Sequence, residues 1–362
     1  MDAAVVMTDT AVVEEDVTVT CYVNEIPAFV ESELARLYGS LHSSLQYFRV
    51  FRSISNASCY VARRDGLPIA ILVFHVNNGR IEVLNEMLEL EQEELRRFVR
   101  HVFKAFPDAG VISFKALKAD TDALGLPMQR SNAKDTYMIS LPATAEEYTA
   151  KLGKSTRSTL RHQLNKIVRD YPSFTSSFYV KDEIQEEHVR EIIKFNEERI
   201  TSKAYKFSHD DRRILDLAKT CGYVSVITID GRICAGTVNY RIGDSIFGDV
   251  IGYDTEYEKS GVGKVALYLT ICESIARGAR NFYLGGGRFD FKSRMLGVQL
   301  HMDRIEIYRS YGSLLLNFDK VASTAFNGYL RRVKVWLHEN QDKAFAKMIF
   351  NSFYFWKNLR NK

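Results

Sequence analysis

The sequence predicts an α/β (α+β) protein with two tandem domains, each a mostly antiparallel mixed sheet flanked by helices. The first reason is length, because 362 residues exceed the usual size of one domain. The second is a series of strand patterns separated by Asp-Gly and Asn-Gly pairs, which favour antiparallel hairpins because both turn residues need positive φ. The third is that the same order of elements recurs about 165 residues later.

The first copy covers residues 17–144 and follows a leader, residues 1–16, that we expect to be disordered. Residues 17–23 alternate apolar and polar side chains as a strand does, and Pro27 can open a helix that runs to about residue 38. The remaining predicted elements are strands at 58–63, 69–76 and 81–85, an amphipathic helix at 91–106 and a strand at 111–114.

The second copy covers residues 145–312. Asp230, Gly231 and Ala235 match Asp65, Gly66 and Ala70 of the first copy. The helix that begins at Gly263 matches the helix that begins at Glu91, and the strand that begins at Asn281 matches the strand that begins at Val111. Asp-Gly hairpins are common, so chance is the alternative, but the agreement in order and spacing favours an internal duplication.

Three helices are predicted before the second sheet. Residues 148–169 form a strongly basic helix with Arg157 and Arg161 on one face, which indicates an anion-binding helix or a solvated basic face. Residues 183–200 form the next helix. Ser208 is expected to cap the third, which ends at Gly222.

A glycine loop between a strand, residues 247–253, and the next helix is the main candidate for cofactor binding. Backbone N–H groups at the start of a helix lack intrahelical partners and can hold a phosphate. The loop residues are Ser260, Gly261, Val262, Gly263 and Lys264, and Gly286 lies in a glycine run after the following strand. The first copy has Arg96 and Phe98 where the second has Gly261 and Gly263, so we expect it to be a scaffold or substrate-binding half.

Composition excludes several classes of protein. The net charge of +4 and the pI near 8.6 are too small to predict a DNA-binding protein. The five cysteines form no Cys-x-x-Cys pair and the histidines show no metal-binding spacing, so neither disulfides nor a metal are predicted. No signal peptide or membrane span is evident, and we expect a cytoplasmic protein.

The chain resembles the GNAT acyltransferases, in which a Gln/Arg-x-x-Gly-x-Gly/Ala loop holds the pyrophosphate of an acyl-CoA. Glu258 stands here in place of the expected Gln or Arg. The basic segment with Arg157 and Arg161, and the glycines followed by Lys292, are similar to the cellulose-cluster and exopolysaccharide acyltransferases and the related Fem aminoacyl ligases.

This resemblance implies an N-acyltransferase that moves an acyl group from acyl-CoA to an amine, such as an amino sugar or an amino-acid-type acceptor. One alternative is a Fem-like ligase that uses aminoacyl-tRNA, and no long heptad arm of the kind many Fem ligases carry is evident. The other alternative is a GNAT-like binding protein without catalysis.

Such a reaction needs a base for the amine and a donor or cation for the oxyanion. The candidate bases are Asp249, which interrupts an apolar strand and should face a cleft, and Asp254, although either could serve a turn or an ion pair. Tyr253 and Tyr257 could return a proton to the leaving group, or they could be ordinary packing tyrosines. The resemblance assigns Lys292 to the oxyanion or a donor phosphate, with Asp290 and Arg294 as weaker neighbours.

The C-terminal segment, residues 313–362, is basic and aromatic and is expected to form one or two amphipathic helices. Packing across the two halves is the favoured interpretation. Contact with a nucleotide-sugar, tRNA or a membrane surface is the alternative.

Overall fold

The computed structural model describes residues 6–9, 17–121, 124–133, 135–203, 208–287, 289–318 and 321–322. Within these ranges the chain forms two mixed β-sheets flanked by helices, and the predicted α/β class is confirmed. The strands are β1 (Val6–Asp9), β2 (Val17–Tyr22), β3 (Ser58–Arg64), β4 (Leu67–Asn77), β5 (Arg80–Val83), β6 (Leu88–Glu89), β7 (Val111–Lys118), β8 (Met128–Asn132), β9 (Thr136–Ser140), β10 (Thr175–Val180), β11 (Gly222–Ile229), β12 (Arg232–Ile242), β13 (Ser245–Tyr253), β14 (Asn281–Gly286), β15 (Val298–Leu300) and β16 (Asp303–Tyr308).

The helices pack on the faces of these sheets. They are α1 (Val30–Tyr38), α2 (Leu45–Phe51), α3 (Gln92–Ala105), α4 (Ala145–Lys151), α5 (Lys154–Asp170), α6 (Glu186–Lys203), α7 (Asp211–Cys221), α8 (Val262–Ala276), α9 (Asp290–Arg294) and α10 (Tyr311–Leu316), with 3-10 helices at Leu41–Ser43, Lys181–Glu183 and Thr255–Ser260. None of the helices in the described part of the chain has the length and apolar character needed to cross a membrane.

The two halves each contain a β-hairpin with the same turn residues and the same break in strand register. The β3–β4 hairpin turns at Asp65 and Gly66, and the β11–β12 hairpin at Asp230 and Gly231, all four with positive φ as type I′ turns require. In both hairpins the register shifts two pairs from the turn, between residues 62 and 63 and between residues 227 and 228. A shared bulge at the same place supports the duplication.

Each sheet contains one strand from the other half of the chain. The first sheet has the order β1-β2-β3-β4-β5-β7-β16-β8, with β6 beside β7, and the second has the order β10-β11-β12-β13-β14-β9-β15. Strand β16 therefore lies between β7 and β8, while β9 lies between β14 and β15. The domain boundary at residue 144 stays a prediction, but the sheets exchange strands across it.

A buried ion pair anchors the exchanged strand β16. The Glu306 side chain is 1% exposed and accepts hydrogen bonds from Arg80 (2.7 Å), Arg304 (3.1 Å) and the Tyr308 hydroxyl (2.9 Å). Burial acts to raise the pKa of Glu306, but the hydrogen bond and charge of Arg80, with help from Tyr308 and Arg304, lower it below the ordinary value. The carboxylate is therefore ionised and links the halves.

Several sequence predictions need correction. Residues 6–9 were expected to be disordered, yet they form β1, because the free edge of β2 offers backbone partners that composition does not reveal. The basic helix is two helices, α4 and α5, separated at Leu152 and Gly153. The cap of α7 is Asp210, whose side chain accepts from the Arg213 N–H, and not Ser208. The predicted C-terminal helices from about residue 326 lie outside the described residues.

Candidate functional site

The two parallel strands of the second sheet separate partway along their length. Strands β13 and β14 pair at three positions only, the last being Phe247 with Tyr283, and then diverge. In the first sheet β5 and β7 part in the same way after Glu82 and Ser113, but β6 fills the space by pairing with β7. The opening is therefore kept in the second half, the half that carries the glycine loop.

A cleft of about 430 Å³ adjoins this opening. The second half contributes Asp249 and Tyr240 among others, whereas His42, Tyr47 and Met87 come from the first half. Its walls are largely aromatic: the Phe247 and Tyr283 rings stack with centroids 4.3 Å apart, and the His42 and Tyr47 rings meet edge to face at 4.8 Å. The first half thus helps to shape the cleft, and its role as a scaffold or substrate-binding half stays a prediction.

Asp249 lies in the cleft at a β-bulge. Val250 pairs with Val238 and Gly248 pairs with Asn239, so Asp249 is the extra residue, and its side chain lines the cleft as predicted. The buried Tyr240 hydroxyl donates to Asp249 Oδ2 at 2.9 Å. Burial, and then the charge of Asp249, raise the pKa of Tyr240 well above its usual value, which keeps the phenol protonated. This carboxylate can accept a proton from a bound amine.

The other predicted catalytic residues near the end of β13 lie outside the lining of the cleft in the described structure. Asp254 caps the 3-10 helix Thr255–Ser260 by accepting from the Glu256 N–H at 2.9 Å, which is the structural role weighed above. The Tyr253 hydroxyl donates to Glu258 at 3.3 Å, and the Tyr257 ring packs edge to face on Tyr171. Their catalytic roles stay predictions, and the geometry favours Asp249.

The predicted glycine loop is shorter than expected, because Ser260 ends a 3-10 helix and Val262, Gly263 and Lys264 already belong to α8. Gly261 adopts φ +76°, α8 begins at Val262, and Lys264 is exposed while Ser260 and Val262 are buried. The protein's own side chains cover both glycines: a Cβ added at Gly261 would overlap the Gln163 amide, and one added at Gly263 would overlap the Tyr253 ring. The glycines therefore allow close packing within the protein. Phosphate binding by this loop stays a prediction.

Lys292 lies in the short helix α9 and is directed at backbone. Its side chain is buried, and Nζ donates to the carbonyls of Gly285 at 3.0 Å and Gly286 at 2.6 Å. The Tyr137 and Phe289 rings each lie 5.6 Å from this ammonium. Because Gly285 and Gly286 line the cleft, Lys292 fixes the end of β14 at the site.

The predicted anion-binding residues line two smaller cavities beside α5. Arg157 and Arg161 border one of about 390 Å³. Arg294, on the same helix as the exposed Asp290, borders another of about 160 Å³ together with Lys264. The structure thus brings Asp249 and Gly286 to the cleft between the halves and the cationic candidates Arg157, Arg161, Lys264 and Arg294 to the surface formed by α5, α8 and α9.

Sequence reasoning missed Tyr240, His42 and Tyr47. Tyr240 lies in a largely buried strand, and nothing local distinguishes it from a packing tyrosine. His42 and Tyr47 reach the cleft through the packing of the two halves, a non-local effect. Among the described residues, no group of three or more His, Cys, Asp or Glu side chains could hold a metal ion.

Residues 154–293 match the family model of an acetyltransferase (GNAT) domain, so this part of the second half is similar to a GNAT acetyltransferase domain. The match to a cellulose-cluster subgroup stays a prediction. A search of curated proteins found no match.

Solved structures show a wider similarity of fold. The crystal structure of FemX superposes with a TM-score of 0.60 at 10% identity, covering 81% of this chain and 98% of FemX. A conserved protein of unknown function from Bacteroides thetaiotaomicron VPI-5482 has a TM-score of 0.50 at 12% identity, covering 79% of this chain and 98% of its own. L-PGS from Bacillus licheniformis has a TM-score of 0.49 at 16% identity, covering 83% and 97%.

Proposed function

We propose that the protein is an N-acyltransferase that moves an acyl group from an acyl-CoA to an amine acceptor, such as an amino sugar or an amino-acid-type acceptor, held in the interdomain cleft. The observation that carries this proposal is the position of Asp249 at the opening between β13 and β14, inside the part of the chain that is similar to a GNAT acetyltransferase domain. An acceptor in the cleft and a donor entering through the separated strands would meet beside this carboxylate.

In the proposed reaction, Asp249 accepts a proton from the acceptor ammonium and leaves a neutral amine. The amine nitrogen attacks the thioester carbonyl carbon, and the carbonyl electrons move to oxygen. When they return, the carbon–sulfur bond breaks and coenzyme A leaves as a thiolate, which takes the second proton from the nitrogen and becomes the free thiol. Tyr240 holds Asp249 in place, and Lys292 holds the β14 glycines that face it.

Aminoacyl-tRNA is the second candidate donor, because the glycine loop has features that disfavour the pyrophosphate of coenzyme A. Gln163 and Tyr253 already pack against the glycines, and Glu258 places a carboxylate where the GNAT pattern has Gln or Arg. A carboxylate repels a pyrophosphate, so the loop departs from what a coenzyme A site requires. In this case the same cleft would form an amide from an aminoacyl ester.

Thermal unfolding with each donor separates the two candidates. A ligand at 100 times its Kd stabilises the folded state by about 2.7 kcal/mol, so a bound acyl-CoA raises Tm. We expect a rise with acetyl-CoA or a longer acyl-CoA, together with acylated amine products by mass spectrometry. If Tm rises with charged tRNA and not with any acyl-CoA, aminoacyl-tRNA is the donor. If neither donor is turned over, the proposal of an enzyme is rejected and the alternative of a non-catalytic binding protein is supported.

A further inference from the structure

Helix α5 carries positive charge at the end where a helix least tolerates it. Lys154 is its first residue and Arg157 lies in the next turn, while the Gly153 cap has no side chain for the free amides and the first turn has no acidic residue. The helices α2, α8 and α10 also lack an acidic residue in the first turn, but only α5 of these four has Lys as its first residue. The cations of α5 repel its helix dipole, and a bound anion would relieve this repulsion.

These cations border the cavity of about 390 Å³ beside α5. Lys154, Arg157 and Arg161 are exposed at its rim, and Leu152 and Leu160 are buried in its wall. The cavity is therefore apolar inside and cationic at the edge.

Two hydrogen bonds hold the cavity in shape. Arg157 Nη1 donates to the Ala150 carbonyl at 3.1 Å, which fixes the guanidinium at the end of α4. The Tyr268 hydroxyl pairs with the Thr149 hydroxyl at 2.8 Å and fixes the ring that lines the cavity. The Tyr268 ring with arginines at the rim matches a nucleoside phosphate, whose base stacks and whose phosphate takes charge-assisted hydrogen bonds.

The glycine loop competes poorly for the same phosphate. Gln163, on another face of α5, covers Gly261, and its Oε1 is buried without a hydrogen-bond partner in the described structure. A phosphate would have to displace this side chain to reach the loop amides. The α5 cavity already has open, charged surface.

We infer that the phosphate-bearing end of the donor binds in the α5 cavity, as an adenosine phosphate held by Lys154, Arg157 and Arg161 with its base against Tyr268. The inference rests on the proposed acyl transfer only in calling this ligand a donor. The same chemistry occurs in the 3′-phosphoadenosine of coenzyme A and at the 3′ end of an RNA.

The neighbouring surface connects this cavity to the site of transfer. Leu160 borders both the α5 cavity and the smaller cavity that contains Lys264, Phe291 and Arg294. Phe291 and Arg294 belong to α9. Lys292 of the same helix donates hydrogen bonds to the carbonyls of the β14 glycines that line the cleft. The α5 cavity therefore lies next to a helix that contacts the cleft.

Binding of adenosine 3′,5′-bisphosphate, measured by calorimetry on the full chain, tests the inference. The double variant Arg157→Ala/Arg161→Ala should raise Kd by about tenfold or more, since each lost charged hydrogen bond weakens binding by more than 1 kcal/mol. The matched control is Lys166→Ala/Arg169→Ala, which removes the same charge from another face of α5 and should leave Kd within about twofold. Circular dichroism checks that both variants fold.

Competition then identifies the source of the phosphate. Displacement of the bisphosphate by acetyl-CoA assigns the cavity to a coenzyme A donor, and displacement by a short RNA with a 3′-terminal adenosine assigns it to RNA. Displacement by neither, no binding to the wild-type protein, or equal losses in both double variants would overturn the inference.

Failure of the inference and failure of the proposed function have different signatures. Bisphosphate binding that depends on Arg157 and Arg161, without turnover of any donor, would contradict acyl transfer and keep the site. Turnover with a donor KM unchanged by Arg157→Ala/Arg161→Ala would keep the function and reject the site.

Discussion

Asp249 is the extra residue of a β-bulge. It shares a face with Phe247 by the ordinary alternation of a strand, and the bulge places the next residue, Val250, on that face as well. The apolar context of Asp249 predicted a cleft, but the bulge and the Tyr240 hydrogen bond depend on partner strands that sequence alone does not specify.

The first prediction concerns the two candidate bases. Asp249→Asn removes the proton acceptor at the cleft, and kcat should fall by about 100-fold or more with little change in Tm. Asp254→Ala, a few residues away, removes a cap worth about 1 kcal/mol and should lower Tm while kcat stays near the wild-type value. Equal losses of kcat in both variants would reject this assignment.

The second prediction concerns Lys292, whose expected contact with a ligand stays a prediction and whose side chain donates to two carbonyls. Lys292→Met keeps most of the side-chain volume but removes the charged donors, so unfolding in urea should show a loss of about 2 kcal/mol or more. Activity should fall because the end of β14 is released. An unchanged free energy of unfolding would show that Lys292 does not stabilise the end of β14.

At the scale of elements, local chemistry predicted the hairpins well and the packing between helices poorly. Asp65–Gly66 and Asp230–Gly231 are turns because Asp and Gly accept positive φ, which requires no knowledge of distant residues. The glycines of the loop were predicted to approach a ligand. What lies against them, Gln163 from α5 and Tyr253 from β13, depends on how α5 packs on α8, and the pattern of glycines contains no information about that.

The third prediction uses this packing. Gly263→Ala places a methyl group against the Tyr253 ring and should lower stability by about 1 to 3 kcal/mol, the usual cost of overpacking, as measured by urea unfolding. Gly231→Ala is the control, because a Cβ there meets nothing within 4 Å and only the left-handed backbone adds a cost of about 1 kcal/mol. A larger effect at Gly231 would mean that the ring moves aside easily.

At the scale of the whole molecule, the exchange of β9 and β16 ties both sheets into one folding unit. The repeat predicted two similar halves, and both sheets exist. The exchange was not predictable, because short strands such as β9 carry no signal that tells them which of two similar sheets to join. The Arg80–Glu306 pair, between residues 226 positions apart, shows how far such contacts reach along the chain.

The fourth prediction concerns this ion pair and its dependence on pH. The pKa of Glu306 is lowered in the folded state, so its contribution is fully present above the ordinary value of 4.5 and is lost as the pH falls through the lower folded value. Glu306→Gln should cost on the order of 3 kcal/mol at neutral pH and weaken the acid dependence of unfolding. Both halves should still unfold in a single transition by circular dichroism.

Glu82→Gln is the matched control, because Glu82 faces the same Arg80 at 4.0 Å with 47% of its side chain exposed. An exposed pair contributes little, and we expect a change within about 1 kcal/mol. Two separate transitions in the wild-type protein, or equal effects of the two variants, would contradict the coupling of the halves through β16.

The strand exchange also sets the order of events on the ribosome. When the first 130 or so residues of a nascent chain have emerged, β7 has no β16 beside it, and that strand is made only when synthesis reaches residue 308. Until then β7 presents an open edge, which invites pairing with other chains. Arrested chains that end near residue 290 should therefore be cleaved by protease within the first sheet, whereas chains that include β16 should resist. Resistance of the shorter chains would show that the first sheet closes without its borrowed strand.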